Sequence, residues 1–174
     1  MSPKAIEIER KFRLREAPAA DVLAARGAVA RRIEQVYLAG SPDAERIRRT
    51  ETAEGMSYRR TRKRQVGAFA FEEDEEPIDG AAWVEGLGRA DPARRTIRKT
   101  RHVVTHGEQE LEIDVFDEPR GLVVVEVELR HEDEPVVLPA WLGEWVEVTG
   151  DARYFNAALA RLDAEVPPWE PGQA

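Results

Sequence analysis

Residues 6–14 read Ile6-Glu7-Ile8-Glu9-Arg10-Lys11-Phe12-Arg13-Leu14. An extended chain turns successive side chains to opposite faces, so Glu7, Glu9 and Lys11 share one face while Ile6, Ile8 and Phe12 share the other. The same arrangement recurs downstream. Arg46 and Arg48 flank Ile47; Arg59, Thr61 and Lys63 share a face; so do Glu73 and Glu75, and Lys99 and Arg101. Glu112 and Asp114 lie opposite Leu111, Ile113 and Val115, and Glu126 and Glu128 alternate with Val125, Val127 and Leu129. This period of two predicts strands near Ile6–Leu14, Gln35–Ala39, Glu45–Thr50, Met56–Arg64, Phe69–Ile78, Thr96–His106, Glu108–Asp117 and Leu122–Arg130. Turn residues separate them at Gly40-Ser41-Pro42-Asp43, Glu54-Gly55, Val66-Gly67, His106-Gly107 and Glu118-Pro119, and the tight glycine turns predict antiparallel hairpins.

Helical patterns are few. Pro18–Arg32 is Ala-rich but contains Gly27, and Asp79–Leu87 is short with Trp83 as its anchor. Asp151–Ala164 reads as the best helix, with Phe155, Ala158, Leu159 and Leu162 on one stripe; Trp141–Val146 reads as a short helix or turn. The expected fold is mainly β (α+β): an eight-stranded antiparallel β-barrel with helices packed on its outside. One domain is expected over residues 1–165, followed by an extended Pro-rich tail over residues 166–174.

The informative question is which face of the barrel lies inside. An ordinary small barrel turns its apolar face inward. Here the amphipathic helices need an apolar outer wall to cover. The charges are also sorted by strand, acid with acid and base with base, whereas a solvated surface intersperses them. Like charges on one strand face repel unless metals or bound anions neutralise them. A charged tunnel is therefore expected. Its carboxylates suit hard cations such as Mg²⁺ or Mn²⁺, and its Lys and Arg suit phosphate oxygens. That combination describes a polyphosphate–metal site without a phosphate-binding glycine loop.

Composition narrows the classes. The net charge is −8, which argues against a nucleic-acid surface, although residues 46–64 hold eight basic residues against two acidic ones. The absence of cysteine excludes disulfides and thiolate metal sites. No apolar run approaches the ~20 residues of a membrane span and the N-terminus is charged rather than signal-like, so a cytoplasmic protein with no membrane partner is expected. His102, His106 and His131 lack metal-ligand spacing.

Glu7-Ile8-Glu9-Arg10-Lys11 resembles the ExExK signature of CYTH-domain proteins, the triphosphate tunnel metalloenzymes, and further elements follow in that family's order. Gln35-Val36-Tyr37-Leu38, Arg46-Ile47-Arg48, Tyr58 with Thr61 and Lys63, and Glu73-Asp74-Glu75 ahead of Ile78-Asp79 are similar to its strands. So are Lys99-Thr100-Arg101, Glu112-Ile113-Asp114-Val115-Phe116 and Glu126-Val127-Glu128, and Val148-Thr149 with Asp151, Arg153, Tyr154 and Asn156 resembles its closing helix. The resemblance spans roughly residues 5–160. It implies that Glu7, Glu9, Asp114, Glu126 and Glu128 hold Mg²⁺ or Mn²⁺, with Glu73 and Glu75 as further candidates. It implies that Lys11, Arg46, Arg48, Lys63, Lys99, Arg101 and Arg153 clamp the phosphates, and that Tyr37 and Lys99 act catalytically on the attacking water. The implied reaction is hydrolysis of inorganic tripolyphosphate to pyrophosphate and phosphate. Class IV adenylate cyclase, thiamine or nucleoside triphosphatase activity, and a non-catalytic polyphosphate-binding module are the alternatives, and a homodimer stays open. Two features depart from the family: Phe71-Glu72 stand where an Arg is expected, and Trp141–Val148 is longer than expected.

Overall fold

A computed structural model describes residues 5–41, 45–67 and 70–171. Nine strands run as β1 (Ala5–Leu14), β2 (Val29–Tyr37), β3 (Arg46–Thr52), β4 (Gly55–Gln65), β5 (Ala70–Ile78), β6 (Ile97–His106), β7 (Gln109–Glu118), β8 (Val123–Leu129) and β9 (Trp145–Glu147). Their order is β5-β4-β3-β2-β6-β7-β8-β1-β9, every pairing is antiparallel, and a β5–β1 pairing closes the first eight strands into a barrel. One edge of β1 meets β8. The other is shared, with β5 pairing at residues 5–8 and β9 at residues 12–14. Gly107 turns the β6–β7 hairpin at φ 64°, a conformation that costs a side-chain-bearing residue but not glycine. The turn expected at Gly40–Asp43 lies partly outside the described residues, as does Phe69 of the fifth expected strand.

The apolar faces of the strands point outward. Phe12, Leu14, Val104, Leu111, Ile113, Val123, Val125, Val127 and Leu129 form the largest core, on the outer wall, covered by Leu23 of α1 (Ala20–Ala24) and by Leu142. A second outer cluster joins Val36, Leu38 and Ile47 to Trp83 of α2 (Gly80–Leu87), a helix capped by the Asp79 carboxylate accepting from the Ala82 amide. A third cluster, built on Tyr37, Ile97, Phe116 and Val124, is closed by Tyr154, Leu159 and Ala160.

The helices are shorter than the sequence pattern suggests. Of the helix expected over Pro18–Arg32 only α1 forms; Gly27 turns the chain at φ 66°, and residues 29–37 join β2 because they pair with β3 and β6. Asp151–Ala164 holds a 3-10 turn at Ala152–Tyr154 and then α3 (Asn156–Leu159), four residues long, separated by Phe155 at ψ 135°. The reason is long-range. Arg94 and Arg95 donate to the carbonyls of Ala157, Arg161, Leu162 and Ala164, and the Arg95 amide to that of Ala160. A continuing helix would need several of those acceptors itself. Leu162 accordingly stands exposed rather than on a buried stripe. Trp141–Val146 divides between a 3-10 turn at Ala140–Leu142 and β9. The tail is held: Arg13 donates to the carbonyls of Pro167 and Pro168 and to the Tyr154 hydroxyl. Residues 172–174 lie outside the described residues. No helix among the described residues is long and apolar enough to cross a membrane.

Gly86 lets α2 press onto the barrel, since a Cβ there would come 2.7 Å from the Ile47 Cδ1. Trp83→Ala should therefore leave an uncollapsed hole and cost about 3–5 kcal/mol in denaturant unfolding. A loss below about 1 kcal/mol would contradict this packing of α2.

Candidate active site

Because β1 and β3 to β8 each turn their charged face inward, a cavity of about 200 Å³ forms within the barrel. Its carboxylates are Glu7 and Glu9 from β1, Glu73 from β5, Glu112 from β7, and Glu126 and Glu128 from β8; its cations are Lys11, Arg46, Arg48, Lys63 and Arg101. Strand register forces like charges together, since Glu9 lies opposite Glu128 and Glu112 opposite Glu126. Directly opposed like charges destabilise a sheet unless a cation intervenes.

Three cations do intervene. The Lys63 ammonium lies 3.1 Å from Glu7, 3.3 Å from Glu9 and 3.4 Å from Glu73. Lys11 contacts Glu126 at 3.0 Å and Glu9 at 3.8 Å. Arg101 grips Asp114 with two bonds of 2.7 Å, reaches Glu126 at 2.6 Å and also binds Glu112. Burial works to raise the Glu126 pKa, but Lys11 and Arg101 outweigh it and hold the group well below the usual carboxylate range. Glu7 is different: burial pushes it up to about 7, against Lys63 and with the help of Glu73. Glu73 moves the other way, because Arg46 and Lys63 overcome its burial. The two carboxyls therefore move in opposite directions, Glu7 upward and Glu73 downward. Glu128 is also raised, by burial and then by Glu9.

The arginines opposite are less well matched. Arg46 reaches Glu73 only at 3.9 Å, and Arg48 touches Gln35 at 3.4 Å but has no carboxylate within ion-pair distance among the described residues. The buried Nε of each lacks a hydrogen-bond partner. Burial, and then Arg46 and Arg101, push the Arg48 guanidinium down to about 10. Tyr37 lines the cavity beside them, its hydroxyl accepting from Gln35 at 2.9 Å.

Other expected site residues fall elsewhere. Lys99 and Asp114 form a fully buried ion pair one layer behind the cavity, outside its lining, and burial pushes the Lys99 ammonium down to about 8. No hydrogen bond joins Tyr37 to Lys99 among the described residues. Glu75 accepts from Arg59 and Thr61 and does not line the cavity. Arg153 stands on the surface, paired at 2.7 Å with Asp151 two residues away. The geometry adds lining residues with no site role in the sequence reading: Gln65, Phe71, Glu112, Phe155, Asn156 and Ala157. Parity alone would have found Glu112, two residues before Asp114 on the same face. The Phe71 ring packs edge-on against Phe155 at 5.6 Å and lies under the Lys63 ammonium.

No three carboxylates among the described residues already surround a common point. The donor set nevertheless fits a hard cation. It is all oxygen, it opposes like charges across two strand pairs, and it includes a buried Glu73 oxygen with no hydrogen-bond partner.

The CYTH domain model matches residues 5–161 of this chain. The chain is similar to an inorganic triphosphatase of Nitrosomonas europaea, 35% identical over 158 residues that cover 88% of this chain and 96% of that protein. A shorter match, 45% identical over 51 residues, covers 29% of this chain and 31% of an inorganic triphosphatase of Acetivibrio thermocellus. Among solved structures, the crystal structure of an inorganic triphosphatase superposes with a TM-score of 0.56 at 30% identity, covering 95% of this chain and 97% of that one.

The raised Glu7 carboxyl sets a pH dependence. A carboxyl whose folded pKa exceeds its unfolded one stabilises the fold when protonated, so its contribution is complete below about 4.5 and lost as pH rises through about 7. With divalent cations chelated, the melting temperature should fall between these values, and Glu7→Gln should reduce that slope. An unchanged slope in the variant would contradict the assignment to Glu7.

Proposed function

This chain belongs to the CYTH domain family, and on that premise we propose that it hydrolyses inorganic tripolyphosphate to pyrophosphate and phosphate with the help of Mg²⁺ or Mn²⁺. The observation that carries the reading is the pair of buried arginines, Arg46 and Arg48, whose Nε donors find no partner in a cavity that also holds six carboxylates, Glu7, Glu9, Glu73, Glu112, Glu126 and Glu128. A buried donor without a partner is costly in a free protein and is satisfied by an anion. Phosphate oxygens match a guanidinium fork.

In this account Arg46, Arg48, Lys11 and Lys63 bind the phosphate oxygens, and Arg101 fixes Glu126 on the facing wall. Lys99 neutralises Asp114, which in turn orients the Arg101 guanidinium through two hydrogen bonds. The carboxylates Glu7, Glu9, Glu126 and Glu128 would hold the divalent cation, with Glu73 and Glu112 at their flanks. The cation, when bound, spreads phosphate charge and acidifies a coordinated water. Tyr37 accepts its hydrogen bond from Gln35, so its own proton is available to orient the attacking water or a phosphate oxygen. Water then displaces pyrophosphate in line at the terminal phosphorus, a reaction in which positioning and charge stabilisation carry most of the catalysis. The confined cavity favours a bare triphosphate over a nucleotide, and the cytoplasm is the compartment we assign.

Phosphate release from tripolyphosphate, ATP and thiamine triphosphate should be compared side by side with Mg²⁺, Mn²⁺ and EDTA. Cation-dependent turnover of tripolyphosphate, with much slower cleavage of the other two, is expected. Arg48→Gln should raise KM by about 10- to 100-fold, the value of one charge-assisted contact. Faster ATP cleavage, or cyclic AMP formation, would overturn the substrate assignment.

A further inference from the structure

The partners of β1 leave a seam beside the cavity. On one edge β5 pairs no further than Ile8 and β9 begins at Phe12, so residues 9–11 lie in the interval between them. Two of those residues, Glu9 and Lys11, line the cavity. At Lys11 the place of a neighbouring strand is taken by the segment after β9. The Lys11 amide donates to the Thr149 hydroxyl at 3.0 Å, and the Lys11 carbonyl accepts from the Val148 amide at 2.9 Å. The Thr149 hydroxyl has one proton to give. It lies 2.7 Å from a Glu147 carboxylate oxygen and 3.3 Å from the Lys11 carbonyl, so the charged and nearer acceptor takes it. Glu147 is held in turn by Arg10, through bonds of 2.8 and 2.7 Å. A chain Arg10–Glu147–Thr149 thus runs across the outer wall and ends on the backbone of the next residue, Lys11.

We propose that Thr149 is a positioning residue: it fixes the backbone of Lys11 at the barrel seam and so sets the reach of the Lys11 ammonium toward a bound phosphate. The Lys11 side chain is long and flexible, and its ammonium must bridge Glu126 and Glu9 while leaving donors for substrate. A shift of the strand at its root moves that ammonium directly. This role rests on the triphosphatase reading, since Lys11 must contact the substrate for its placement to matter.

The test uses Thr149→Val, which keeps the shape and removes the hydroxyl, and Thr149→Ser, which restores it. Expected for Thr149→Val is a KM for tripolyphosphate raised about tenfold, equivalent to about 1.4 kcal/mol, with kcat within about twofold of wild type. Thr149→Ser should return KM to near the wild-type value. In a Lys11→Met background the Thr149→Val effect should vanish, because there is no ammonium left to place. Affinity for tripolyphosphate by calorimetry supplies the same comparison without turnover. A lowered melting temperature with unchanged KM would make Thr149 merely structural, and a KM effect that persists without Lys11 would equally overturn the proposal. Wild-type protein that neither binds nor cleaves tripolyphosphate would sink the functional reading and this role with it. Binding by wild type with no response to Thr149→Val would sink the role alone.

Discussion

Moving an ion from water into a protein interior costs several kcal/mol even after relaxation, and this barrel encloses a dense set of them. Lys63 among Glu7, Glu9 and Glu73, and Arg101 among Asp114, Glu112 and Glu126, are the contacts that make the interior tolerable. The outer architecture follows from that choice. With charge inside, the apolar halves of β1, β7 and β8 face outward and need cover. Short helices and irregular segments supply it, which is why the largest core lies on the outer wall rather than on the axis.

The compensation is incomplete, and the incompleteness is directional. Carboxylates crowd one side until Glu7 keeps a proton to about pH 7, while Arg48 on the other side is pushed down to about 10 by burial and by neighbouring arginines. A free protein with both defects is poised to take up a cation and an anion together. Each ligand relieves the strain on its own wall, and the two ligands, opposite in charge, attract each other across the cavity. Lys99 and Asp114 sit behind this arrangement as a sealed pair that keeps Arg101 in place.

Much of this was legible in residues 6–14 and their echoes, because inward and outward faces of a strand differ by a single step and the sorted charges made the inward face visible. The strand limits also came close, with the expected Thr96–His106 realised as Ile97–His106. What local pattern could not convey was competition from distant partners. Residues 29–32 share an Ala- and Arg-rich stretch with α1, yet pairing with β6 draws them into β2. The closing segment has a helical stripe, but Arg94 and Arg95, some 60 residues earlier, remove its carbonyls. The family resemblance implies a phosphate-binding role for Arg153, while the 3-10 turn that carries it directs the side chain to Asp151 at the surface. Glu112 was within reach of parity, two residues before Asp114, whereas Phe155 and Asn156 line the cavity where the capping segment bends at Phe155.

Two walls of opposite charge should act as one site, with a cation on one side and phosphate on the other. Calorimetric titration of tripolyphosphate at matched ionic strength, with Ca²⁺ or Mg²⁺ at low temperature and then with EDTA, measures that coupling directly. Affinity should be at least about tenfold higher with the cation, with an equal gain in cation affinity when tripolyphosphate is present, as linkage requires. Equal tripolyphosphate affinity with and without the cation would mean that the carboxylates serve only to neutralise the lysines and arginines, and would contradict a coupled site.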